Sequence, residues 1–223
     1  MTSRPLTARG ERTRAALIVA ARTVFERDGF ADARLTDITV EAGCATGSFY
    51  TYFDSKEDIL DAVLAAAQEE ILHPGMVHGE AHTDDPIATI ESANRAYFKA
   101  YRRNAKLMMV REQVAGISPE FRQKRFERGQ VFVERNARGI RELQDAGLAD
   151  TELDPLQAAR ALSGMVSRMA YQSLGVGGGD DIDDLVFTAT RLWANALGKD
   201  PLDPRTVKLG GPAEARTENL NTL

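Results

Sequence analysis

GCATGSFYTYFDSKEDIL, residues 43–60, is the stretch on which the reading of this chain turns. Four aromatic rings, Phe49, Tyr50, Tyr52 and Phe53, fall within five positions. Small polar Thr46, Gly47 and Ser48 precede them and Lys56 follows. A buried helix would hide the rings and would have no need of Thr46, Gly47 and Ser48, while a helix fully in water would not carry the rings. Phe49 and Phe53, four residues apart, share one helix face, and Tyr50 and Tyr52 point elsewhere.

Outward from this stretch the period is helical. Leu17, Ala21, Val24 and Phe25 recur at the spacing of an amphipathic helix, predicted over Ala8 to Asp28 with a stop at Gly29. Short helices are predicted over Leu35 to Ala42 and Ala45 to Tyr52, separated by a turn at Gly43-Cys44-Ala45. Ser55 is placed to cap the next helix, which runs to Leu72 with Glu57 and Asp58 at its positive end. Residues 73–85, rich in Pro, Gly, His and Asp, read as a loop. Longer helices follow over Pro86–Asn104, Ala105–Ala115, Pro119 to near Gly147, Asp154–Leu174 and Asp181–Leu197. The segment after Gly198 has few apolar residues and reads as a disordered or loosely draped tail. No alternating run is long enough for a strand.

Two short helices joined by a glycine turn and framed by longer ones make a helix-turn-helix, whose second helix enters the DNA major groove. That groove is roughly 12 Å wide, so short side chains belong at the helix start. Thr46, Gly47 and Ser48 suit that place. Phe49 and Phe53 are expected to pack on the Leu17/Val24/Phe25 stripe. Tyr50 and Tyr52 have apolar bodies and hydroxyl tips suited to a sugar-phosphate wall, and Lys56 is placed for a phosphate. An aromatic patch packed as a small helical core with wet tyrosine hydroxyls is the alternative; the turn, the hydroxyl pair and Lys56 together favour the groove.

The net charge of −5 gives the chain as a whole no affinity for polyanions, but its distribution is uneven. Arg4, Arg9, Arg12, Arg14, Arg22 and Arg27 lie in the first 27 residues against only Glu11 and Glu26. A local polyanion contact would use this bias; a solvated helix face would also show it.

The residues Gly29-Phe30, Leu35-Thr36-Asp37-Ile38 and the run from Ala42 to Leu60 resemble the DNA-binding signature of the TetR-type (TetR/AcrR) transcriptional regulators. The likeness covers about residues 10 to 65. It implies an all-α fold of about nine helices, with an N-terminal three-helix helix-turn-helix domain and a larger C-terminal ligand-binding and dimerisation domain. The expected division is 1–54 for DNA binding, 55–198 for effector binding and dimerisation, and 199–223 for a flexible tail. Thr36 would touch a phosphate or base, Thr46, Gly47 and Ser48 would sit at the groove, and Tyr50, Thr51, Tyr52 and Lys56 would grip the backbone. Two positions depart from the family pattern. Arg34 stands where a capping threonine is common, so the cap moves to Asp32 or Arg34 itself reaches a phosphate. Ala45 stands where serine commonly caps the recognition helix, with Thr46 a partial substitute.

The resemblance also implies a small-molecule effector, a homodimer and a palindromic double-stranded operator, most often repressed. The expected pocket lies among Tyr97, Tyr101, Met108, Phe126, Met165, Arg168 and Met169, with Phe98, Met109, Phe121, Phe132 and Tyr171 as further apolar lining. Most of these are also what an ordinary core needs. Arg111 and Arg168 would bind an acidic ligand group or pair with Glu112, Glu134 or Glu142. The Met and aromatic content points to a largely apolar effector, acyl or aromatic. The last two long helices are expected to form a four-helix dimer interface through small residues such as Ala161 and Gly164. Trp193 is either an anchor there or core.

Other classes lack support in the sequence. One cysteine, Cys44, excludes an internal disulfide and fits a reducing cytoplasm; it is a small turn filler or a redox-sensitive thiol. No secretory leader and no bilayer-spanning run are expected. His73, His78 and His82 match no helical ligand pair and read as loop residues, so no metal, cofactor or catalytic group is expected. A helical enzyme and a protein-binding adaptor are the competing readings. The discriminating feature is the basic end beside the Thr46/Ser48 helix, which an adaptor does not need.

Overall fold

The computed structural model describes residues 7–72, 85–177 and 179–198, and within them the fold is all helical. Nine α-helices are present among the described residues: α1 Ala8–Asp32, α2 Leu35–Glu41, α3 Thr46–Phe49, α4 Lys56–Leu72, α5 Pro86–Arg103, α6 Ala105–Ile117, α7 Pro119–Asp145, α8 Pro155–Ala170 and α9 Ile182–Leu197. The His73/His78/His82 loop and the tail over 199–223 lie outside the described residues. No described helix is long and apolar enough to cross a membrane.

Caps place most helix starts where the sequence put them. Thr7 accepts from the Gly10 amide at 3.2 Å, Ser55 from Asp58 at 3.1 Å, Asp154 from Gln157 at 2.8 Å and Asp181 from Asp183 at 2.7 Å. Each satisfies an amide that the first helical turn leaves without a partner. Pro86, Pro119 and Pro155 open α5, α7 and α8, where a missing N–H costs nothing.

Four expectations need correction. Gly29 does break α1, at φ 74° and ψ −178°, but one more turn carries the helix to Asp32. α3 is far shorter than Ala45–Tyr52: four residues are α-helical, and the chain leaves by tight turns through Tyr52 and Phe53, whose amides bond the Phe49 carbonyl at 2.9 and 3.0 Å. Neither Asp32 nor any other side chain caps α2 at Arg34, and none caps α3 at Ala45. Finally, α8 does not run as α-helix to Leu174; from Tyr171 to Gly175 it widens to a π-helical turn closed by Val176 N–H on the Tyr171 carbonyl at 2.9 Å. Gly175 permits this close approach, since a Cβ there would stand 2.9 Å from the Met109 sulfur.

The buried apolar side chains form one continuous cluster from Leu17 to Leu197. α1 packs on α2, α4 and α6, α5 on α9, and α7 on α8. Phe49 and Phe53 are buried with Leu17, Val24, Phe25 and Ile38, as the spacing predicts. Trp193 is 8% exposed and belongs to the core.

Candidate nucleic-acid interface and effector cavity

The α2–α3 connection is built by backbone chemistry. Gly43 at φ 64° lets its own amide bond the Val40 carbonyl at 3.0 Å and the Cys44 amide bond the Thr39 carbonyl at 3.0 Å. This is a Schellman ending, which needs a left-handed residue at that position. Thr39, buried and absent from the sequence reading, donates to the Thr36 carbonyl at 3.0 Å and stands 3.4 Å from the Thr46 hydroxyl. It ties α2 to the start of α3, where a capping side chain is missing.

Phe49 anchors α3 at 0% exposure, with its ring 5.8 Å from Phe53 and edge-on to Tyr50 at 5.5 Å. This burial turns the other face outward: Thr36, Thr46, Gly47, Tyr50 and Thr51 are exposed, and Ser48 and Tyr52 are half-buried. A Cβ at Gly47 would meet nothing within 4 Å, so packing does not require glycine there.

Lys56 is placed differently from the expected phosphate contact. Its ammonium donates to the carbonyls of Phe30 at 2.7 Å, Ala31 at 3.3 Å and Ala33 at 3.0 Å, and lies 4.4 Å from the centre of the Phe30 ring. The end of α1 leaves carbonyls without helical donors, and Lys56 supplies the donors. The arginine cluster also divides. Arg22 is engaged by Glu26 at 2.9 Å and Asn104 at 2.8 Å, and Arg27 by Asp28 at 2.7 Å, which holds the Asp28 carboxyl below its usual range. Arg9, Arg12 and Arg14 supply the basic field at the start of α1, with Arg14 also 5.1 Å from the Phe53 ring centre.

A half-open pocket of about 450 Å³ lies between α4, α5, α7 and α8. Of the residues expected to line an effector pocket, Tyr97, Phe126 and Phe132 line this one. Tyr101 and Met108 are buried in the core beyond the wall, at 2% and 1% exposure. Met165, Arg168 and Met169 do not line it either; Arg168 is exposed and stacks on Tyr171 at 5.0 Å. The wall of this pocket uses the Arg160/Ser163/Gly164/Ser167 face of α8, and Met165 and Met169 lie off it. Phe132, Val133 and Ile71 supply apolar wall, and Arg122, Arg125 and Arg160 supply charge. Gly129 and Gly164 also border the space, and a Cβ at either meets nothing within 4 Å. Mid-helix glycines were the signal in the sequence that marked these faces.

Polar groups frame the cavity. Tyr97 is hydrogen-bonded to Ser167, and burial raises its pKa. Arg111 pairs with Glu112 at 2.9 Å, and the same carboxylate takes Arg125 at 3.2 Å. Two joints connect this region to the N-terminal helices. Asp61 on α4 accepts from Lys124 at 3.3 Å and Arg128 at 3.0 Å on α7. Asn104, fully buried between α5 and α6, accepts from Arg22 of α1 and donates to Glu70 of α4 at 3.0 Å. A ligand wedging α4 from α7 would therefore act on a helix that begins just after α3.

Comparison with known proteins agrees with this geometry. Residues 17–63 match the model for bacterial regulatory proteins of the tetR family. Over 195 residues the chain is 24% identical to the HTH-type transcriptional regulator EthR of Mycolicibacterium smegmatis, covering 84% of this chain and 87% of that one. Over 69 residues it is 39% identical to the HTH-type regulator SrpR of Pseudomonas putida, covering 31% and 32% of the two chains. The fold superposes on the transcriptional regulator FadR of Bacillus subtilis, solved in complex with stearoyl-CoA, with a TM-score of 0.71 at 20% identity over 82% of this chain and 98% of that one. The helix-turn-helix, its exposed α3 face and these matches support a TetR-type transcriptional regulator, with the tetR-family match confined to residues 17–63.

Proposed function

We propose that the protein is a dimeric, cytoplasmic repressor, not an enzyme, released from a palindromic operator by a small and largely apolar effector. The observation that carries the reading is that α4 does two things: it follows α3 directly, and its Gln68 and Ile71 line the cavity. Thr36, Thr46, Gly47, Ser48, Tyr50, Thr51 and Tyr52 are assigned to DNA; Lys56 is assigned to the fold. Two α3 helices must sit about 34–36 Å apart to read successive turns of one groove. A ligand that changes this spacing weakens both half-sites together, which is coupling between sites through two arrangements.

The dimer is assigned to α8 and α9, which carry exposed Ala161 and exposed Phe187 and Leu192. The division 1–54, 55–198 and 199–223 is kept, with α4 shared in packing by both halves. Stearoyl-CoA, bound by the FadR relative, supports an acyl chain among the candidate effectors. Fluorescence anisotropy with DNA upstream of the gene, across a salt series, tests the assignment. Nanomolar, palindrome-dependent binding that Tyr50→Ala weakens supports it; weak, sequence-blind binding to that DNA and to genome-selected fragments overturns it.

A further inference from the structure

The cavity wall contains three guanidinium groups, from Arg122, Arg125 and Arg160, and no carboxylate. Their existing partners do not cancel them. Arg122 bonds only to neutral carbonyls, those of Ala115 at 3.2 Å and Gly116 at 3.4 Å. Arg125 shares the single carboxylate of Glu112 with Arg111. Arg160 makes no ion pair among the described residues. Four cations thus face one anion in and just behind the wall. Arg122, Arg125 and Arg160 are all exposed, and their excess positive charge attracts an anionic ligand group in preference to a neutral or cationic one.

The rest of the wall is apolar and aromatic. Tyr97 and Phe132 rings stand 6.0 Å apart, with Phe126, Val133 and Ile71 beside them. Along α7 the wall runs from Arg122 to Val133, about 16 Å at the helical rise. The volume of about 450 Å³ falls in the range of small-molecule sites.

We infer that the effector is an anionic amphiphile: an apolar chain against Tyr97, Phe126 and Phe132, with a carboxylate or phosphate head held by guanidinium groups of the wall. This rests on the cavity being the effector site. Arginine suits such a head because its planar fork meets two oxygens at once.

Four probes with one dodecyl tail and different heads isolate the inference: dodecanoate, dodecyl phosphate, dodecanol and dodecyltrimethylammonium, titrated calorimetrically into the full chain. Both anions should bind at least about tenfold tighter than dodecanol, as expected for a charge-assisted contact, and the ammonium should bind weakest. Arg160→Ala and Arg125→Ala should weaken the anions and leave dodecanol unchanged. Gly129→Trp, which fills the cavity, should abolish all binding while circular dichroism reports an intact fold. Equal affinity for dodecanol or the ammonium overturns the anionic head but leaves the cavity reading standing if Gly129→Trp blocks binding. Binding indifferent to Gly129→Trp, or none by any probe, overturns both the head and its location.

Discussion

Lys56 separates two roles that sequence spacing cannot distinguish, and Lys56→Met tests which one holds. The substitution keeps the stem and removes the ammonium. It deletes donors to three carbonyls, at 2.7, 3.0 and 3.3 Å, and a cation lying 4.4 Å from the Phe30 ring centre. A hydrogen bond to a charged group contributes about 1.5–3 kcal/mol, but the side chain is only half-buried. Water replaces part of the loss, and freeing the side chain returns up to about 2 kcal/mol of rotamer entropy. The net cost is about 2 kcal/mol, or about 4–8 °C in Tm for a chain of this size. DNA affinity should fall because α1, α2 and α4 lose their mutual register. The slope of log affinity against log salt should stay the same, since no phosphate contact is removed. Thermal melting by circular dichroism and anisotropy at several salt concentrations read both quantities. A Tm within about 1 °C of wild type, together with a slope shallower by about 0.9 per protomer, would refute the tether and restore Lys56 to the phosphate.

Other outcomes follow from the same geometry. Asn104→Ala removes the buried acceptor of Arg22 and the donor to Glu70 and to the Ala100 carbonyl; it should cost about 2–3 kcal/mol by denaturant titration, since both charged partners reach water and recover part of the loss. Gly43→Ala meets no atom within 4 Å but must adopt φ 64°, so it should cost about 1–2 kcal/mol. Burial raises the pKa of both Tyr97 and Tyr101 above the ordinary 10.0. Their neutral forms are favoured on folding, so that stability is fully present below pH 10 and is lost as pH rises from there through the folded values. Tm measured from neutral to strongly alkaline pH should fall, and Tyr101→Phe should flatten the fall; an unchanged slope would contradict the assignment.

Helix positions were legible because capping and periodicity are local. Ser55, Asp154 and Asp181 act within three residues of themselves. The α3 face was legible for a related reason: once Phe49 and Phe53 are buried, the phase of the helix turns Thr46, Gly47 and Tyr50 outward. Lys56 was not legible, because its acceptors lie 23 to 26 residues away. The cavity was legible only in part. Composition favours Met and aromatic residues for any apolar wall, but core and cavity differ in tertiary packing alone, and this sent Tyr101 and Met108 inward. Arg122, Arg125 and Arg160 were not singled out, since nothing local in sequence distinguishes a guanidinium facing bulk water from one bordering a cleft.

The joints at Asn104 and Lys56 bear on how such proteins exchange parts. A hybrid that took its reading head from this chain and its sensing half from a relative would need a seam. A seam at 54/55 parts Lys56 from Phe30, Ala31 and Ala33, and Arg22 from both Glu70 and Asn104. A seam after Leu72 keeps those contacts except Asn104, and instead parts Asp61 from Lys124 and Arg128. Neither cut is silent. A working sensor made by recombination would have to carry matching residues across the seam, so the interchangeability of sensing halves is limited by a few polar side chains at the joints between them.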